Sequence, residues 1–304
     1  MTSVPMVRQT AGAGAARAVQ RRNNKLNAGP NGRPGWLTYT ILAAIILVSA
    51  APIYYSVLLA SSDGQTVAAN PLPSLLPQEN FFKNINKILV NPNVDFWNAF
   101  SNSLIISLVT AASVVFFATL AGFAFSKLRF RGQNKLLIFV IATMAVPTQL
   151  GIIPLFIVMA KLGWQGNLLA VIVPSMVTAF GVFWMTQYLS EALPYELIEA
   201  ARIDGCSMIR TFWHVGLPAA RPAAAMLALF TFVGSWTAFF WPMIILGSSN
   251  PTLPVALSLL QASYFKDMSL IMAGVFMSTV PLIVVFFLAG KQLVSGIMAG
   301  AVKG

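Results

Sequence analysis

The sequence predicts an all-α membrane protein whose six transmembrane helices form one bundle. Hydrophobic residues make up 57% of its 304 residues, charged residues make up only 9%, and the mean hydropathy is +0.76. Soluble domains carry about 25% charged residues. Six apolar runs are each long enough to cross a bilayer, which takes about 20 residues of helix. The chain has room for one such bundle and for no large soluble domain.

The first 35 residues differ in composition from the rest. They are rich in Ala, Gly and Asn, contain six basic residues and show no apolar periodicity, so we predict a disordered tail. The next run, Trp36 to Ala60, would span about 36 Å as a helix. We interpret it as a retained transmembrane helix and not as a cleaved signal peptide. The other five apolar runs are residues 98–126, 136–160, 168–189, 222–246 and 270–290.

Basic residues are distributed unequally between the two sides of this six-span prediction. Fifteen lie on the side of both termini and of the loop 190–221, and four lie on the other side. Because basic residues collect in the cytoplasm, we predict cytoplasmic termini and external loops at residues 61–97 and 247–269. This distribution explains the net charge of +11 and does not indicate nucleic-acid binding, because the basic residues flank the spans singly and form no phosphate-binding patch.

The six predicted spans contain no Asp, Glu, Lys, Arg or His. Transporters driven by protons or sodium normally keep such groups in the membrane. The sequence also lacks the Gly-x-x-x-x-Gly-Lys-Ser/Thr loop that holds ATP phosphates. One Cys and one His cannot build a disulfide or a typical metal site. We therefore expect no enzyme activity and no cofactor in this chain, and any pumping energy must come from another chain.

The predicted cytoplasmic loop has local signals of a folded helix. Pro194 suits the first turn, and Glu196 and Glu199 follow where the helix dipole favours anions. Asp204 and Gly205 should end this helix after roughly ten residues.

A second short helix should follow, capped by Ser207 and closed by Gly216 and Pro218. A helix of about ten residues is marginal alone in water, so it needs a partner. Ala200 and Ala201 are small enough to let it sit closely in a groove of another protein. The alternative is an amphipathic helix on lipid headgroups, which the acidic residues of the loop disfavour.

This loop resembles the EAA loop of ATP-binding-cassette (ABC) importer permeases. The resemblance rests on Glu199-Ala200-Ala201, on Gly205 and on Leu217-Pro218 at fixed spacing; Cys206 stands where the family usually has Ala. In that family the loop is the coupling helix that docks on the ATPase subunit, and the fold is the type I ABC importer permease bundle. The residues that the resemblance implies for ATPase coupling are Glu196, Glu199, Ala200, Ala201, Asp204, Gly205, Leu217 and Pro218.

Three further stretches resemble the maltose-type, carbohydrate-uptake branch of these permeases. In that branch a tail of small residues reaches between the ATPase subunits, although a frayed end is the usual fate of a terminus. Thr237 and Ala238 depart from the branch's pattern, because they replace an amide and an acid. The three stretches are residues 122–132 (Gly-Phe-Ala-Phe-Ser-Lys-Leu-Arg-Phe-Arg-Gly), residues 236–242 with 252–255, and the end Gly300-Ala301-Val302-Lys303-Gly304.

The resemblance covers about residues 36–304 and implies an assembly in the inner membrane of a bacterial or archaeal cell. Its other members would be a second, related permease subunit, two ATPase subunits that bind the ATP and Mg²⁺, and an extracytoplasmic sugar-binding protein or lipoprotein. The loop 247–269 would contact that binding protein. The implied function is import of a di- or oligosaccharide. The alternatives are a permease for another small solute, such as glycerol phosphate, and a passive channel or facilitator.

Hydroxyl and amide groups lie beside aromatic residues within the spans. Sugars suit such a lining, because their hydroxyls need hydrogen-bond partners and their C–H faces stack on aromatic rings. The same residue types also bridge helices, and Trp236 with its aromatic neighbours suits an interfacial belt. The candidates for a substrate path are Asn102, Gln149, Trp184, Ser235 and Trp236.

Proline and glycine residues mark two other features of the spans. Pro147 and Pro174 should interrupt the third and fourth spans, either to line a cavity with freed carbonyl groups or as packing kinks. Gly122, Gly181 and Gly234 should mark close contacts between helices.

Overall fold

The computed structural model of the chain describes residues 35–70, 74–262 and 267–301, with only the helical backbone given for residues 262 and 291–301. Every regular element in these ranges is a helix, as the fold class predicts. Residues up to Ser56 form one compact unit, and residues from Val57 onward form a second. Apart from Gly35, the tail predicted to be disordered lies outside the described residues.

The helices are numbered here in chain order. A 3₁₀ turn at Thr148–Gly151 precedes α6, and a π turn at Phe212–Gly216 precedes α11. The α-helices are α1 (Trp36–Ser61), α2 (Gly64–Ala69), α3 (Phe81–Leu89), α4 (Phe96–Lys127), α5 (Gln133–Thr143), α6 (Ile152–Lys161), α7 (Leu169–Ser175), α8 (Ala179–Ala192), α9 (Tyr195–Ile203), α10 (Met208–Thr211), α11 (Leu217–Trp236), α12 (Phe240–Leu246), α13 (Leu253–Ala262) and α14 (Met268–Ala301).

Five described segments are long and apolar enough to cross a membrane. They are α1, α4, α7 with α8, the segment from α10 through α11, and α14 as far as Gly290. A sixth is obtained if α5 and the segment Thr148–Lys161 are counted as one span, although the two meet at 88°. Pro147 lies at this break, where its missing N–H group favours an interruption of the helix. The structure therefore agrees with six spans when this sharply bent pair is counted as the third.

In the unit that begins at Val57, α4 is the central helix. It packs along α8 and α11, and α11 also packs against α8 and α14. The contact between α4 and α8 is very close, since a Cβ atom added at Gly122 would stand 2.7 Å from the backbone of Met185. Gly181 likewise lies against Ala118, so the prediction of close contacts is confirmed for both glycines. It is wrong for Gly234, whose added Cβ would meet open space.

The fifth span differs from the prediction at both ends. The apolar run 222–246 was expected to form it, but the helix begins before that run and ends at Trp236. Pro242, which has no N–H group to donate within a helix, follows this end. It is tolerated in the first turn of the separate helix α12.

Gly122→Ala should lower the stability of the bundle, because the new methyl group has no room beside Met185. Overpacking of this kind costs about 1–3 kcal/mol and should lower the melting temperature of the purified protein in detergent by several degrees. Gly234→Ala is the matched control, since it is also helical and has open space, and it should leave the melting temperature unchanged or raise it slightly. Equal melting temperatures for the two variants would contradict the close contact.

Candidate functional site

The predicted coupling loop begins with a buried anchor and a turn. Leu193 is fully buried directly after α8, and Pro194 has an extended conformation with ψ of 144° that redirects the chain. The helix α9 then starts at Tyr195 and keeps Ile198 fully buried among residues of α4, α8 and α11. The loop is therefore fixed to the bundle at its start.

A complete hydrogen-bonded cap ends α9. The N–H of Cys206 donates to the carbonyl of Ala201 at 2.9 Å, and the N–H of Gly205 donates to that of Arg202 at 3.0 Å. Gly205 has φ of +76°, which this Schellman motif requires and which side chains disfavour. The predicted stop at Asp204 and Gly205 is confirmed, and α9 is nine residues long.

The second helix starts as predicted but does not end as predicted. The hydroxyl of Ser207 accepts the N–H of Arg210 at 3.4 Å and caps α10. The prediction that Gly216 and Pro218 close this helix is wrong, since a π turn joins it directly to α11. Pro218 cannot donate to the preceding turn, and the π turn accommodates this lost hydrogen bond. Gly216 lets the turn approach Phe123, whose ring would be 2.8 Å from an added Cβ.

The two faces of α9 have different surroundings. The side chains of Ile198 and Ala201 face the bundle, and Ala201 is only 9% exposed. Ala200 is exposed, so the two alanines expected to contact a partner together have different surroundings. The exposed face has an apolar centre with acidic residues around it, and it consists of Glu196, Leu197, Glu199, Ala200, Ile203 and Asp204.

Two basic residues at the end of α4 hold the start of the loop. Lys127 is only 6% exposed as a residue, and its ammonium group donates to the carbonyl of Ser190 at 3.3 Å and interacts electrostatically with Glu196. The guanidinium carbon of Arg129 lies 5.5 Å from the centre of the Tyr195 ring. The sequence alone did not suggest this role. A lysine at the very end of a long apolar helix was the available signal.

A cavity of about 360 Å³ lies between α4, α7, α8, α11 and α12. Thr110 of α4 lines it, is only 3% exposed, and its hydroxyl has no hydrogen-bond partner among the described residues. An unpaired buried hydroxyl is costly. The hydroxyl-bearing residues in the lining are Thr110, Ser175, Thr178, Thr231 and Ser235, and the aromatic ones are Phe180, Phe230 and Trp241.

A second cavity, of about 520 Å³, shares Ser175, Ala238 and Trp241 with the first. Gln149 lines it, together with Pro174. The Trp241 ring is held in place because its N–H donates to the carbonyl of Ala170 at 3.0 Å. Two of the five substrate-path candidates, Gln149 and Ser235, therefore lie in adjoining cavities.

The other three candidates are bonded within the chain. The Asn102 amide donates to Asn250 and Pro251, and the Trp184 indole donates to the carbonyl of Ala223 at 3.2 Å. Trp236 is only 2% exposed, and its indole donates to the carbonyl of Ser278 at 3.0 Å. The alternative that Trp236 lies in an interfacial aromatic belt is therefore wrong, because the ring is part of the core.

The predicted C-terminal site falls largely outside the described residues. Gly300 and Ala301 are the last residues of α14, while Val302 and Lys303 are not described. In the described ranges, no three His, Cys, Asp or Glu residues come together in a way that could hold a metal ion.

Comparison with known proteins identifies the family. Residues 114–291, more than half of the chain, match the family described as binding-protein-dependent transport system inner membrane component. An arabinooligosaccharides transport system permease protein of Halalkalibacterium halodurans is 30% identical over 275 residues, which cover 88% of this chain and 96% of that protein. A trehalose/maltose transport system permease protein of Thermococcus litoralis is 30% identical over 268 residues, with 87% and 94% coverage.

The fold matches a solved structure as well. A chain in the crystal structure of a bacterial ABC transporter involved in the import of the acidic polysaccharide alginate superposes with a TM-score of 0.70, at 22% identity. The match covers 95% of this chain and 99% of that one. By sequence and by fold, this multi-pass cell-membrane protein belongs to the binding-protein-dependent inner membrane components, the permeases of ABC importers.

Proposed function

We propose that this chain is one of two related permease subunits of an ATP-driven importer for a di- or oligosaccharide. The observation that carries the proposal is the exposed face of α9, a short capped helix fixed to the bundle on its other side. The two relatives named for the transport of arabinooligosaccharides and of trehalose or maltose support a sugar as the substrate class. The chain itself performs no catalysis, and ATP and Mg²⁺ are bound by two separate ATPase subunits.

The exposed face of α9 is the proposed contact with an ATPase subunit. Its apolar centre includes Ile203, which is 87% exposed, and Leu197, which is 49% exposed. Burial of such side chains against a partner supplies favourable free energy, while the small Ala200 permits a close approach. The acidic rim of Glu196 and Glu199 favours a partner with basic residues around its groove. This face lies in the cytoplasm in our proposal, on the side with most basic residues.

Movement of the ATPases reaches the bundle through this helix. ATP binding closes the ATPase dimer, and the docked helices of the two permease subunits move with it. Because Leu193 and Ile198 are fully buried in the bundle, α9 cannot move without displacing α8 and α11. The two permease bundles then rock between inward-open and outward-open arrangements. The terminal residues from Gly300 to Lys303 extend between the ATPase subunits in this proposal.

The cavity beside Thr110 is the proposed wall of the sugar path. Hydroxyl groups from three helices and aromatic rings surround it, a combination that suits the polar and C–H faces of a sugar. The unpaired hydroxyl of Thr110 is covered by neighbouring atoms, so it would gain a partner once an entering sugar displaces them. Ser235 lines the same space, and Gln149 lines the adjoining one. For Asn102, Trp184 and Trp236 we propose a supporting position, since their polar groups are bonded within the chain.

The proposed function is tested with the complete complex in liposomes, containing both permease subunits, the ATPases and the extracytoplasmic binding protein. Maltose, trehalose, lactose and arabinobiose are offered in turn, with glycerol 3-phosphate as the competing substrate class. At least one sugar should stimulate ATP hydrolysis and accumulate against its gradient. Stimulation by glycerol phosphate alone would contradict the sugar assignment. Equilibration of solute without ATP would indicate a facilitator instead.

Gly205→Ala should reduce sugar uptake about fivefold or more while sugar binding by the binding protein stays unchanged. The alanine must adopt φ near +76°, which costs about 1–2 kcal/mol and distorts the end of α9. Gly163→Ala is the matched control. It has φ of +70° in the same kind of cap at the end of α6, so it carries the same strain elsewhere. Equal uptake by the two variants would argue against a coupling role for Gly205.

Thr110→Val should slow uptake at saturating binding protein by about fivefold. This is the change in rate that corresponds to the loss of one hydrogen bond of about 1 kcal/mol. The same change should leave the melting temperature unchanged or higher, because it removes an unpaired buried hydroxyl. Thr119→Val on the same helix is the control, since the Thr119 hydroxyl bonds only to the carbonyl of Val115 in its own helix. Wild-type uptake in Thr110→Val would remove this residue from the sugar path.

A further inference from the structure

The helix α4 runs without a proline from Phe96 to Lys127, a length of roughly 48 Å at 1.5 Å per residue. It packs along two neighbouring helices, α8 and α11. Side chains near both of its ends bind the two segments that the proposed function assigns to partners. This arrangement places one continuous helix between the external loop and the coupling helix.

At one end, α4 is attached to the start of the coupling loop. Lys127 donates to Ser190 in the last turn of α8, and Arg129 lies over the ring of Tyr195, the first residue of α9. The two contacts flank the bend at Pro194. The side chain of Lys127 is mostly covered by neighbouring residues, so its hydrogen bond to Ser190 is partly shielded from water. The start of α9 therefore moves with the end of α4.

Near its other end, α4 is attached to the loop after α12. The Asn102 amide donates to the Asn250 side chain at 2.7 Å and to the carbonyl of Pro251 at 2.9 Å. The hydroxyl of Ser103 accepts the N–H of Leu253 at 2.7 Å. Asn102 and Ser103 are both buried, so these bonds are shielded from water and costly to break. The loop that begins at Gly247 is thus fixed to α4.

We propose that α4 transmits the state of the external loop to the coupling helix, with Asn102 and Ser103 at one end and Lys127 and Arg129 at the other as positioning residues. This inference rests on the proposed function, in which α9 meets the ATPase, and on the expectation from the sequence that the loop 247–269 meets the binding protein. A helix resists compression and bending, so a displacement at Asn102 reaches Lys127, roughly 37 Å away along the axis. The sugar cavity beside Thr110 lies between the two ends.

The test is a double-mutant cycle on the complete complex in liposomes. Asn102→Leu removes the amide while keeping its approximate size, and Lys127→Met removes the ammonium group. Each should lower the ratio of ATP hydrolysis with sugar-loaded binding protein to basal hydrolysis by about fivefold, within the usual range of coupling between sites. The double variant should lose no more than the more affected single variant, because both changes interrupt one connection.

Two results would overturn the proposal. Effects of residues this far apart usually combine independently, so a double variant whose loss is the product of the two single losses would overturn the proposal. Unchanged ratios in both single variants would also overturn it. A merely structural role would lower the yield of assembled complex and leave the ratio in the surviving complex unchanged.

Matched controls show whether the effect comes from bonds to another segment or from the loss of any similar side chain. Ser103→Ala should lower the ratio, whereas Ser113→Ala on the same helix should not, since the Ser113 hydroxyl bonds only to the carbonyl of Val109. Lys127→Arg should recover part of the loss, and Lys135→Met at an exposed lysine of α5 should have no effect. If Lys127→Met fails to assemble, Arg129→Ala at an exposed site replaces it, with an expected reduction of about two- to fivefold.

Failure of the proposed function has a different signature. It appears in the wild-type complex, as absence of stimulation by every loaded binding protein. In that case hydrogen exchange of the α9 amides still tests whether Lys127 holds the start of α9, because this measurement needs no transported sugar. Lys127→Met should increase exchange in α9 about fivefold relative to Lys135→Met, and equal exchange would overturn that attachment.

Discussion

The close approach of α4 to α8 is the contact on which the rest of the structure depends. Only a residue without a side chain fits at position 122, where an added Cβ would stand 2.7 Å from the backbone of Met185. This approach brings Phe123, Leu189 and Leu193 into one buried cluster, and Ile198 of α9 completes it. The helix α9 is therefore fixed to the bundle where α4 and α8 are in close contact.

The polar groups of the membrane segments fall into two classes. Most serine and threonine hydroxyls bond back to their own helix, as those of Ser113, Thr119 and Thr186 do. Others join separate segments, as Asn102 joins α4 to the loop after α12. Ser107 and Thr110 of α4 belong to neither class, because their buried hydroxyls remain unpaired among the described residues. Of these two residues, Thr110 also lines the cavity between α4, α7, α8, α11 and α12, although its oxygen is covered by neighbouring atoms.

Local signals in the sequence predicted α9 well. Pro194 and the Asp204-Gly205 pair determine its ends through hydrogen bonds that lie within a few residues, so no knowledge of the fold was needed. The course of the chain after Ser207 could not be predicted in this way. Pro218 suggested an end of the second helix, whereas the chain continues through a π turn that packs closely on Phe123, more than ninety residues away in the sequence.

The candidate site was only partly predictable for the same reason. Acidic residues and small residues marked the loop, but helix geometry alone did not tell which of Ala200 and Ala201 faces the bundle. Lys127 gave little signal, because its role comes from the carbonyl of Ser190, which another helix brings to it. The unpaired state of Thr110 likewise follows from its neighbours and not from its residue type.

The different burial of two adjacent alanines, Ala200 and Ala201, separates two kinds of structural constraint. A larger residue at 201 would press against this chain's own interior, so that position is restricted by the fold of the permease. Position 200 has no such restriction from the rest of the bundle, because it is exposed. In the proposed assembly, adaptation to a different ATPase would then require changes on only one side of a nine-residue helix, while the membrane bundle stays as it is.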